Sequence, residues 1–309
     1  MNMNERPHTS VLYHEIINGL CPKDSHRYVD ATLGAGGHAY GILSNSSPTG
    51  EILGLDVDPT ALEIAKRYLQ EFGDRLKTAQ ASYADLTVQL KNIGWPGIHG
   101  IVLDLGVSSM QIDTPARGFS FLKDGPLDMR FSPENPTTAA DIVNSYSADD
   151  LSRIFWRYGE ERRSRTLAAS IVKARPFYNS LELAEFIKKT IGKQKSRIHP
   201  ATRVFQALRI EVNGELDSLE KVLPQIIKAL FTGGRVAIIS FHSLEDRMVK
   251  RFFRLESKDC ICPPDQPVCN CGHKATLKEV NRKPITPTEE ECRSNPRARS
   301  AKLRIAQKL

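Results

Sequence analysis

The sequence predicts an α/β protein whose sheet is mainly parallel and carries an inserted helical domain. Short apolar strands alternate with helical patterns from 28 to 104, which is typical of βαβ units. Between 110 and 213 the alternation stops and mostly helical patterns remain, and afterwards the strand pattern returns. We therefore predict one discontinuous domain, 1–109 with 214–309, and an inserted helical domain, 110–213.

The first strand and the turn after it form the most informative stretch. Tyr28 and Val29 begin a short strand that ends at Asp30, and a turn containing Gly34, Gly36 and Gly37 follows. A helix is expected from His38. Glycines allow a sharp turn and close approach of a ligand, and the start of a helix presents unpaired N–H groups. This pattern predicts a nucleotide-binding turn.

Asp30 is the residue that favours S-adenosylmethionine over NAD as the predicted ligand. The spacing Gly34-x-Gly36-x-x-Ala39 fits the dinucleotide fingerprint, so spacing does not exclude NAD. A carboxylate at the strand end can accept hydrogen bonds from an ammonium group, which S-adenosylmethionine has and NAD lacks. The alternative is that Asp30 only caps the turn.

The next three strands also end in polar residues. A strand at 52–55 ends at Asp56, 20 residues beyond Gly36, where an acidic residue can accept hydrogen bonds from ribose hydroxyls. A strand at 76–81 precedes Tyr83, which either lies against a purine or packs at the strand end. A strand at 100–103 ends at Asp104. Because ligands bind at the carboxyl edge of such sheets, we expect these residues to face one crevice.

Periodicity and capping patterns predict the remaining elements. Ser243 is expected to cap a helix, and alternation near the C-terminus predicts a strand with one basic face. The helices are predicted at 11–20, 38–43, 59–72, 86–93, 148–157, 161–174, 180–191, 216–230 and 243–255, a turn at 232–234, and the last strands at 236–241 and 302–306.

The end of the helical domain is basic. Lys193, Lys195 and Arg197 belong to a basic stretch before Pro200. A polar stripe at helical spacing follows and opposes an apolar one; it comprises Thr202, Gln206, Arg209 and Asn213. These side chains either contact phosphates and base edges or form a solvated face.

Composition indicates a soluble globular protein. Hydrophobic residues make up 40% of the 309 residues and charged residues 26%. No run of eighteen apolar residues and no apolar signal core occur, so we expect a cytoplasmic protein without a membrane partner. The net charge of +7 favours a polyanionic partner.

Four of the six cysteines crowd together near the C-terminus, unlike the framework of a secreted scaffold. Cys260-x-Cys262 and Cys269-x-Cys271 have residues that bind zinc, but the usual pair is Cys-x-x-Cys and the loop between the pairs is short. We therefore name no metal ligand among the predicted site residues.

Seven motifs in order resemble the bacterial small-subunit ribosomal RNA cytosine-N4 methyltransferase family, the type called methyltransferase H. The resemblance covers nearly the whole chain. The motifs are DATLGAGGH at 30–38, LDLGVSS at 103–109, RGFSF at 117–121, DGPLDMR at 124–130, HPATR at 199–203, SFHSLEDR at 240–247 and NPRARS at 295–300.

The resemblance implies a Rossmann-like S-adenosylmethionine-dependent methyltransferase sheet with an inserted helical domain for substrate recognition. It implies methylation of the N4 amine of one cytidine in the ribosomal decoding region, with the small ribosomal subunit and its RNA as partners. By the same resemblance, cofactor contacts are expected from Gly36, Gly37, His38, Asp56, Tyr83, Asp104 and Gln111. Our candidates for substrate contact are Arg130, Arg203, Arg209 and His242.

The sequence offers more than one candidate for the catalytic group. DNA amino-methyltransferases resemble this plan but carry Asp/Asn-Pro-Pro-Tyr after the fourth strand, where this chain has Asp104-Leu105-Gly106-Val107. We take Asp104 as the catalytic candidate, with nearby backbone carbonyls as alternative acceptors. An assembly factor with a relic cofactor pocket and an NAD-linked dehydrogenase are the competing hypotheses.

Overall fold

The computed structural model describes residues 10–192, 199–263, 266 and 268–309. These residues divide into two compact units: a sheet unit, 1–106 with 217–309, and a helical unit, 107–216. The predicted insertion, 110–213, falls within the second. No helix in the described part of the chain is both long and apolar enough to cross a membrane.

The first part of the sheet unit alternates strands with helices, as the apolar pattern predicts. In chain order its elements are α1 (Tyr13–Leu20), β1 (Arg27–Asp30), α2 (Gly37–Asn45), β2 (Glu51–Asp56), α3 (Pro59–Tyr68), β3 (Leu76–Gln80), α4 (Leu86–Asn92) and β4 (Ile98–Asp104). The helix predicted at 59–72 ends early, and a 3-10 segment, Gln70–Arg75, with Gly73 in a non-helical conformation, completes the connection.

The helical unit consists of helices, with a long loop at 114–138 between the first two. Its elements are α5 (Ser109–Asp113), α6 (Ala139–Ser145), α7 (Ala148–Gly159), α8 (Ser164–Ala174), α9 (Ser180–Ile191) and α10 (Ala201–Asn213). Fully buried apolar residues such as Leu151, Phe155, Leu167 and Val204 form its core. The loop needs glycine at Gly118, because φ is +70° there and a Cβ would lie 2.0 Å from the Pro126 carbonyl oxygen.

The last part of the chain returns to the sheet unit. Its elements are α11 (Glu215–Ala229), β5 (Leu230–Ser240), α12 (Ser243–Glu256), β6 (Leu277–Glu279), α13 (Glu289–Ser294) and β7 (Lys302–Lys308). The turn predicted at 232–234 lies inside β5 as an irregularity: the pairing with β4 shifts between Ile98 and Gly100, and Gly233 has φ +85°.

Among the described residues, seven strands form one sheet in the order β3-β2-β1-β4-β5-β7-β6. The first five strands are parallel, and β7 and β6 add antiparallel edges. Apolar side chains of α1, α2 and α3 cover one face, and those of α4, α11 and α12 cover the other. Both faces are therefore buried, and the predicted Rossmann-like fold class is confirmed.

Two local predictions about the C-terminal part were wrong. The N-cap of α12 is His242, whose ring accepts a hydrogen bond from the Glu245 backbone, and not Ser243. The last strand was also predicted to have an exposed basic face, but Arg304 on this strand is only 4% exposed. Its Nε donates a hydrogen bond to Asp246 Oδ1 at 2.6 Å. Alternation identified the strand, but helix α12, which carries Asp246, packs over this face of β7, so Arg304 is buried.

Candidate functional site

The carboxyl ends of the parallel strands place the predicted polar residues at one sheet edge. Asp30, Asp56 and Asp104 are the last residues of β1, β2 and β4. Tyr83 follows the end of β3 in a short 3-10 turn. The pairing continues past the strand ends, since Ala31 donates to the Val102 carbonyl at 2.9 Å. This edge is the candidate site of the sheet unit.

Asp30 is nearly inaccessible to water, with 1% of its surface exposed. Its Oδ1 accepts a hydrogen bond from the Thr32 backbone at 3.2 Å, so the turn-capping role is present. Burial raises the pKa of Asp30 to about 6, although the nearby His38 and the Thr32 hydrogen bond lower it. A cation close to this carboxylate would relieve the burial cost, so capping and ligand binding are compatible.

The glycine turn leaves the start of α2 open. Gly36 has φ +88°, and a Cβ there would lie 2.9 Å from Leu69. Gly37 has even less room, since a Cβ would lie 2.0 Å from the Ser10 hydroxyl. The N-cap residue is Gly36, which has no side chain that could cap the helix. The first N–H groups of α2 therefore lack an acceptor from an N-cap side chain, and helix starts of this type bind anionic or carboxylate groups.

His38 and Asp104 form a polar pair at the edge, in which His38 is buried and Asp104 is partly exposed. His38 Nε2 lies 3.6 Å from Asp104 Oδ2, which is beyond hydrogen-bonding distance. Both ring nitrogens of His38 and Oδ1 of Asp104 are buried, and no hydrogen-bond partner occurs for them in the described part of the chain. Burial lowers the pKa of His38, but Asp104 and Asp30 outweigh burial and raise it overall. These atoms fit a ligand that brings its own donors and acceptors.

Asp56 connects two loops of the edge. Its Oδ2 accepts from the Gly34 backbone at 2.8 Å, and its Oδ1 accepts from the Asp58 backbone at 2.9 Å. Burial raises the pKa of Asp56, while these two hydrogen bonds lower it. Each carboxylate oxygen retains a second lone pair for a ribose hydroxyl. Asp56 therefore both fixes the glycine turn and remains a possible acceptor.

Two further residues of the edge were missed by the sequence analysis. The Thr32 hydroxyl accepts from the Asp104 backbone at 2.7 Å and so ties the end of β4 to the turn after β1. Asp58 is buried, and its side chain caps α3 by accepting from Thr60. The pair Asp58-Pro59 carried the signal for this cap, because aspartate at the N-cap before proline is a common helix start.

Tyr83 and His242 have structural contacts within the sheet unit. Tyr83 is half-buried and packs against the apolar core on one side of the sheet. The His242 side chain is 8% exposed, and its Nε2 lies 3.1 Å from Glu245 Oε1. A role of His242 in substrate binding stays a prediction, as does stacking of Tyr83 on a purine.

The other predicted site residues belong to the helical unit. Gln111 forms a capping box with Ser108 at the start of α5. Arg130 is bound by Asp128 through two hydrogen bonds of 2.8 and 2.9 Å. Burial raises the pKa of Asp128, but Arg130 outweighs burial and lowers it. The Arg130 guanidinium therefore organises the 128–135 loop.

The polar stripe of α10 is mostly engaged inside the helical unit. Arg209 makes two hydrogen bonds to Glu215, at 2.7 and 2.9 Å, and Gln206 donates to the Tyr158 carbonyl at 2.9 Å. Asn213 accepts from the Phe131 backbone at 2.7 Å. Arg203, in contrast, is exposed. Lys193, Lys195 and Arg197 lie outside the described residues.

Among solved structures, an rRNA methylase from Streptococcus thermophilus has a TM-score of 0.44 and 11% identity, covering 100% of this chain and 99% of its own. The family model described as MraW methylase family matches residues 5–309.

Curated relatives named ribosomal RNA small subunit methyltransferase H match nearly the whole chain. The relative from Dehalococcoides mccartyi is 49% identical and covers 99% of this chain and 88% of its own. That from Carboxydothermus hydrogenoformans is 50% identical over 99% of both chains. That from Thermomicrobium roseum is 46% identical over 98% of this chain and 94% of its own.

Proposed function

The chain belongs to the MraW methylase family, and from this premise we propose that it methylates the N4 amine of a cytidine in the decoding region of small-subunit (16S) ribosomal RNA. The methyl donor is S-adenosylmethionine. The single observation that supports this most strongly is near-full-length identity of about half to relatives named as small-subunit ribosomal RNA methyltransferases. The choice of cytosine N4 comes from the resemblance of the seven motifs.

The sheet edge supplies groups suited to this cofactor. Asp30 is the acceptor for an ammonium group, and Asp56 is the acceptor for ribose hydroxyls. The open start of α2, behind Gly36 and Gly37, suits a carboxylate. Tyr83 offers an aromatic face for a purine. His38 supplies buried ring nitrogens that need partners. The cofactor contact assigned to Gln111 is part of the same proposal.

The chemistry places few demands on the protein. When bound, S-adenosylmethionine supplies a methyl group that its sulfonium already activates. The N4 amine of cytosine is a weak nucleophile, because its lone pair is delocalised into the ring. The residues must therefore hold the amine in line and accept hydrogen bonds from its N–H groups.

Asp104 is the group proposed to accept those hydrogen bonds. Its side chain is 27% exposed, so part of the carboxylate is open to a substrate, while Oδ1 is buried without a described partner. Hydrogen bonding to a carboxylate raises the electron density of the amine nitrogen and stabilises the charge that develops there. Gly106 stands where the DNA enzymes have proline, and its φ of +103° is a conformation that proline cannot adopt.

RNA recognition is assigned to the helical unit. A cytosine inside folded RNA must be swung out to be reached, and the protein must hold the flanking backbone. Arg203 is exposed on α10 and is the clearest phosphate contact among the described arginines that we proposed. Arg130 and Arg209 are proposed to act by shaping this surface. The small subunit in the cytoplasm is the proposed partner.

Cofactor binding separates this proposal from its competitors. Isothermal titration should give binding of S-adenosylmethionine and none of NADH. Binding of NADH alone would favour a dehydrogenase, and binding of neither would favour an assembly factor with a relic pocket.

Label transfer tests the substrate. Small subunits lacking the modification, incubated with protein and methyl-labelled cofactor, should gain label in their RNA, and faster than naked RNA does. Equal rates would refute the preference for a particle. No label in either RNA would refute the proposed function.

A further inference from the structure

Four cysteine sulfurs converge in the loop between α12 and β6. The Sγ atoms of Cys260, Cys262, Cys269 and Cys271 all lie within 4.8 Å of one another. Cys269 Sγ is 3.4 Å from that of Cys260, 4.0 Å from that of Cys262 and 3.6 Å from that of Cys271. Because the two Cys-x-Cys pairs belong to one loop, the fold brings together side chains whose sequence spacing is unusual for a metal site.

These distances match a tetrahedron of thiolates around one ion. Zinc binds sulfur at about 2.3 Å, so the edges of a tetrahedral four-sulfur site are about 3.8 Å long. Four of the six sulfur–sulfur separations lie on both sides of that value, from 3.4 to 4.0 Å, and all six are within 4.8 Å. A disulfide needs about 2.05 Å, which none of these sulfur pairs approaches. Sulfurs that hold a multi-iron cluster stand further apart than sulfurs around one ion.

The loop has little apolar core of its own to hold this arrangement. Val268 is 73% exposed and Ile261 41% exposed. Its base is closed by polar contacts: Thr276 donates from its backbone to the Glu256 carbonyl at 2.8 Å, and His273 Nε2 lies 3.1 Å from the Leu255 carbonyl. A loop with a closed base and an exposed tip is the type that a metal ion stabilises in small domains.

We propose that Cys260, Cys262, Cys269 and Cys271 bind one Zn²⁺ in a closed structural site that links the end of α12 to β6. Binding replaces the four thiol protons, which pass to solvent, and no electron is transferred. With four protein ligands no coordination position is left for substrate. The 14 residues of α12 also separate this loop from the carboxyl edge by about 20 Å. The ion therefore stabilises the fold and does not take part in methyl transfer.

The experiment measures metal and thiols in the full-length protein. Under reducing conditions the chain should bind one equivalent of zinc, and cobalt should give the visible spectrum of a tetrahedral thiolate complex. The chain has six cysteines, so native thiol titration should count two reactive thiols with zinc and six after chelation. The matched variants are Cys260→Ser with Cys269→Ser, which should lose the metal, and Cys21→Ser with Cys292→Ser, which should keep it.

Several results would overturn the proposal. They are a folded, reduced protein that binds no zinc, equal metal content in both double variants, an iron chromophore in place of zinc, or a disulfide among the four cysteines in the native protein. If the first double variant does not fold, the thiol count of the unmodified chain decides: six reactive thiols in the presence of zinc would refute the site. Cofactor affinity is measured in parallel and should not depend on zinc.

Discussion

At the residue scale, the protonation of Asp30 is expected to control cofactor affinity. Its pKa is about 6 in the free protein because the carboxylate is buried. A bound ammonium group favours the charged carboxylate and lowers that pKa. Affinity should therefore be constant above about pH 7 and fall by up to about tenfold for each pH unit below about 6. The facing groups are His38, Asp104 and Asp56, so the titration belongs to the whole cluster.

Asp30→Asn is the matched variant for this pH dependence. The amide still accepts the Thr32 hydrogen bond but carries no charge. It should bind S-adenosylmethionine more weakly at neutral pH and lose most of the acidic fall in affinity, as measured by titration calorimetry. Wild-type affinity that does not change between about pH 5 and about pH 7 would show that Asp30 does not contact the ammonium group.

A second prediction concerns the side chain of Asp56. Asp56→Ala should weaken cofactor binding by about 1 to 3 kcal/mol, because a buried acceptor for ribose hydroxyls is lost. It should also loosen the glycine turn, since Gly34 donates to this carboxylate. Asp74→Ala, at an exposed carboxylate of the 3-10 segment before β3, is the control and should bind normally. Unchanged affinity of the Asp56 variant would remove it from the site.

At the element scale, the glycine turn before α2 needs glycine at Gly36 for two reasons: its φ is positive, and it packs closely against Leu69. Gly36→Ala should cost roughly 1 to 2 kcal/mol for the left-handed backbone, with a further cost for the contact with Leu69. Gly94→Ala is matched, because Gly94 also has positive φ (+70°) but has open space around it.

Comparison of the two variants distinguishes a loss of stability caused by backbone strain from a loss of cofactor affinity caused by a changed site. Gly94→Ala should lose stability with normal cofactor affinity, whereas Gly36→Ala should lose stability and at least about tenfold in affinity, or 1.4 kcal/mol. Thermal unfolding and calorimetry measure the two effects. Equal cofactor affinities would mean that the turn does not approach the ligand.

Helix α10 offers a matched pair of arginines. Arg209→Ala leaves Glu215, whose side chain is 4% exposed, without its two arginine hydrogen bonds, and should destabilise the protein by about 3 kcal/mol. Arg203→Ala removes an exposed charge, so it should leave stability unchanged, weaken RNA binding and reduce its salt dependence. If Arg209→Ala instead weakened RNA binding without any loss of stability, the polar stripe of α10 would face RNA.

At the scale of the whole molecule, β2 and β4 could be predicted because their signals are local. Both are apolar runs that end at an aspartate, and the parallel topology places these carboxyl ends at one edge of the sheet. The start of β5, in contrast, was predicted as a turn. The short α6 and the three-residue β6 were not predicted, because so few residues give no reliable period.

The remaining discrepancies depend on tertiary packing. Alternation in β7 did not reveal that Arg304 lies beneath Asp246, since this face is covered by helix α12, which is distant in sequence. Cysteine spacing likewise did not reveal that four sulfurs converge, because the loop between α12 and β6 determines their positions. The partners of Arg209 and Asn213 were hidden for the same reason: Glu215 and Phe131 become neighbours only in the folded helical unit.

We propose that the protein methylates the N4 amine of one cytidine in small-subunit ribosomal RNA at this sheet edge. The most direct test is to label unmodified small subunits with the protein and methyl-labelled cofactor, digest the RNA to nucleosides and identify the labelled atom by mass spectrometry. We predict label only on N4-methylcytidine, from one position in the decoding region. Label on carbon 5 of cytosine, on the ribose or on adenine would contradict the assignment.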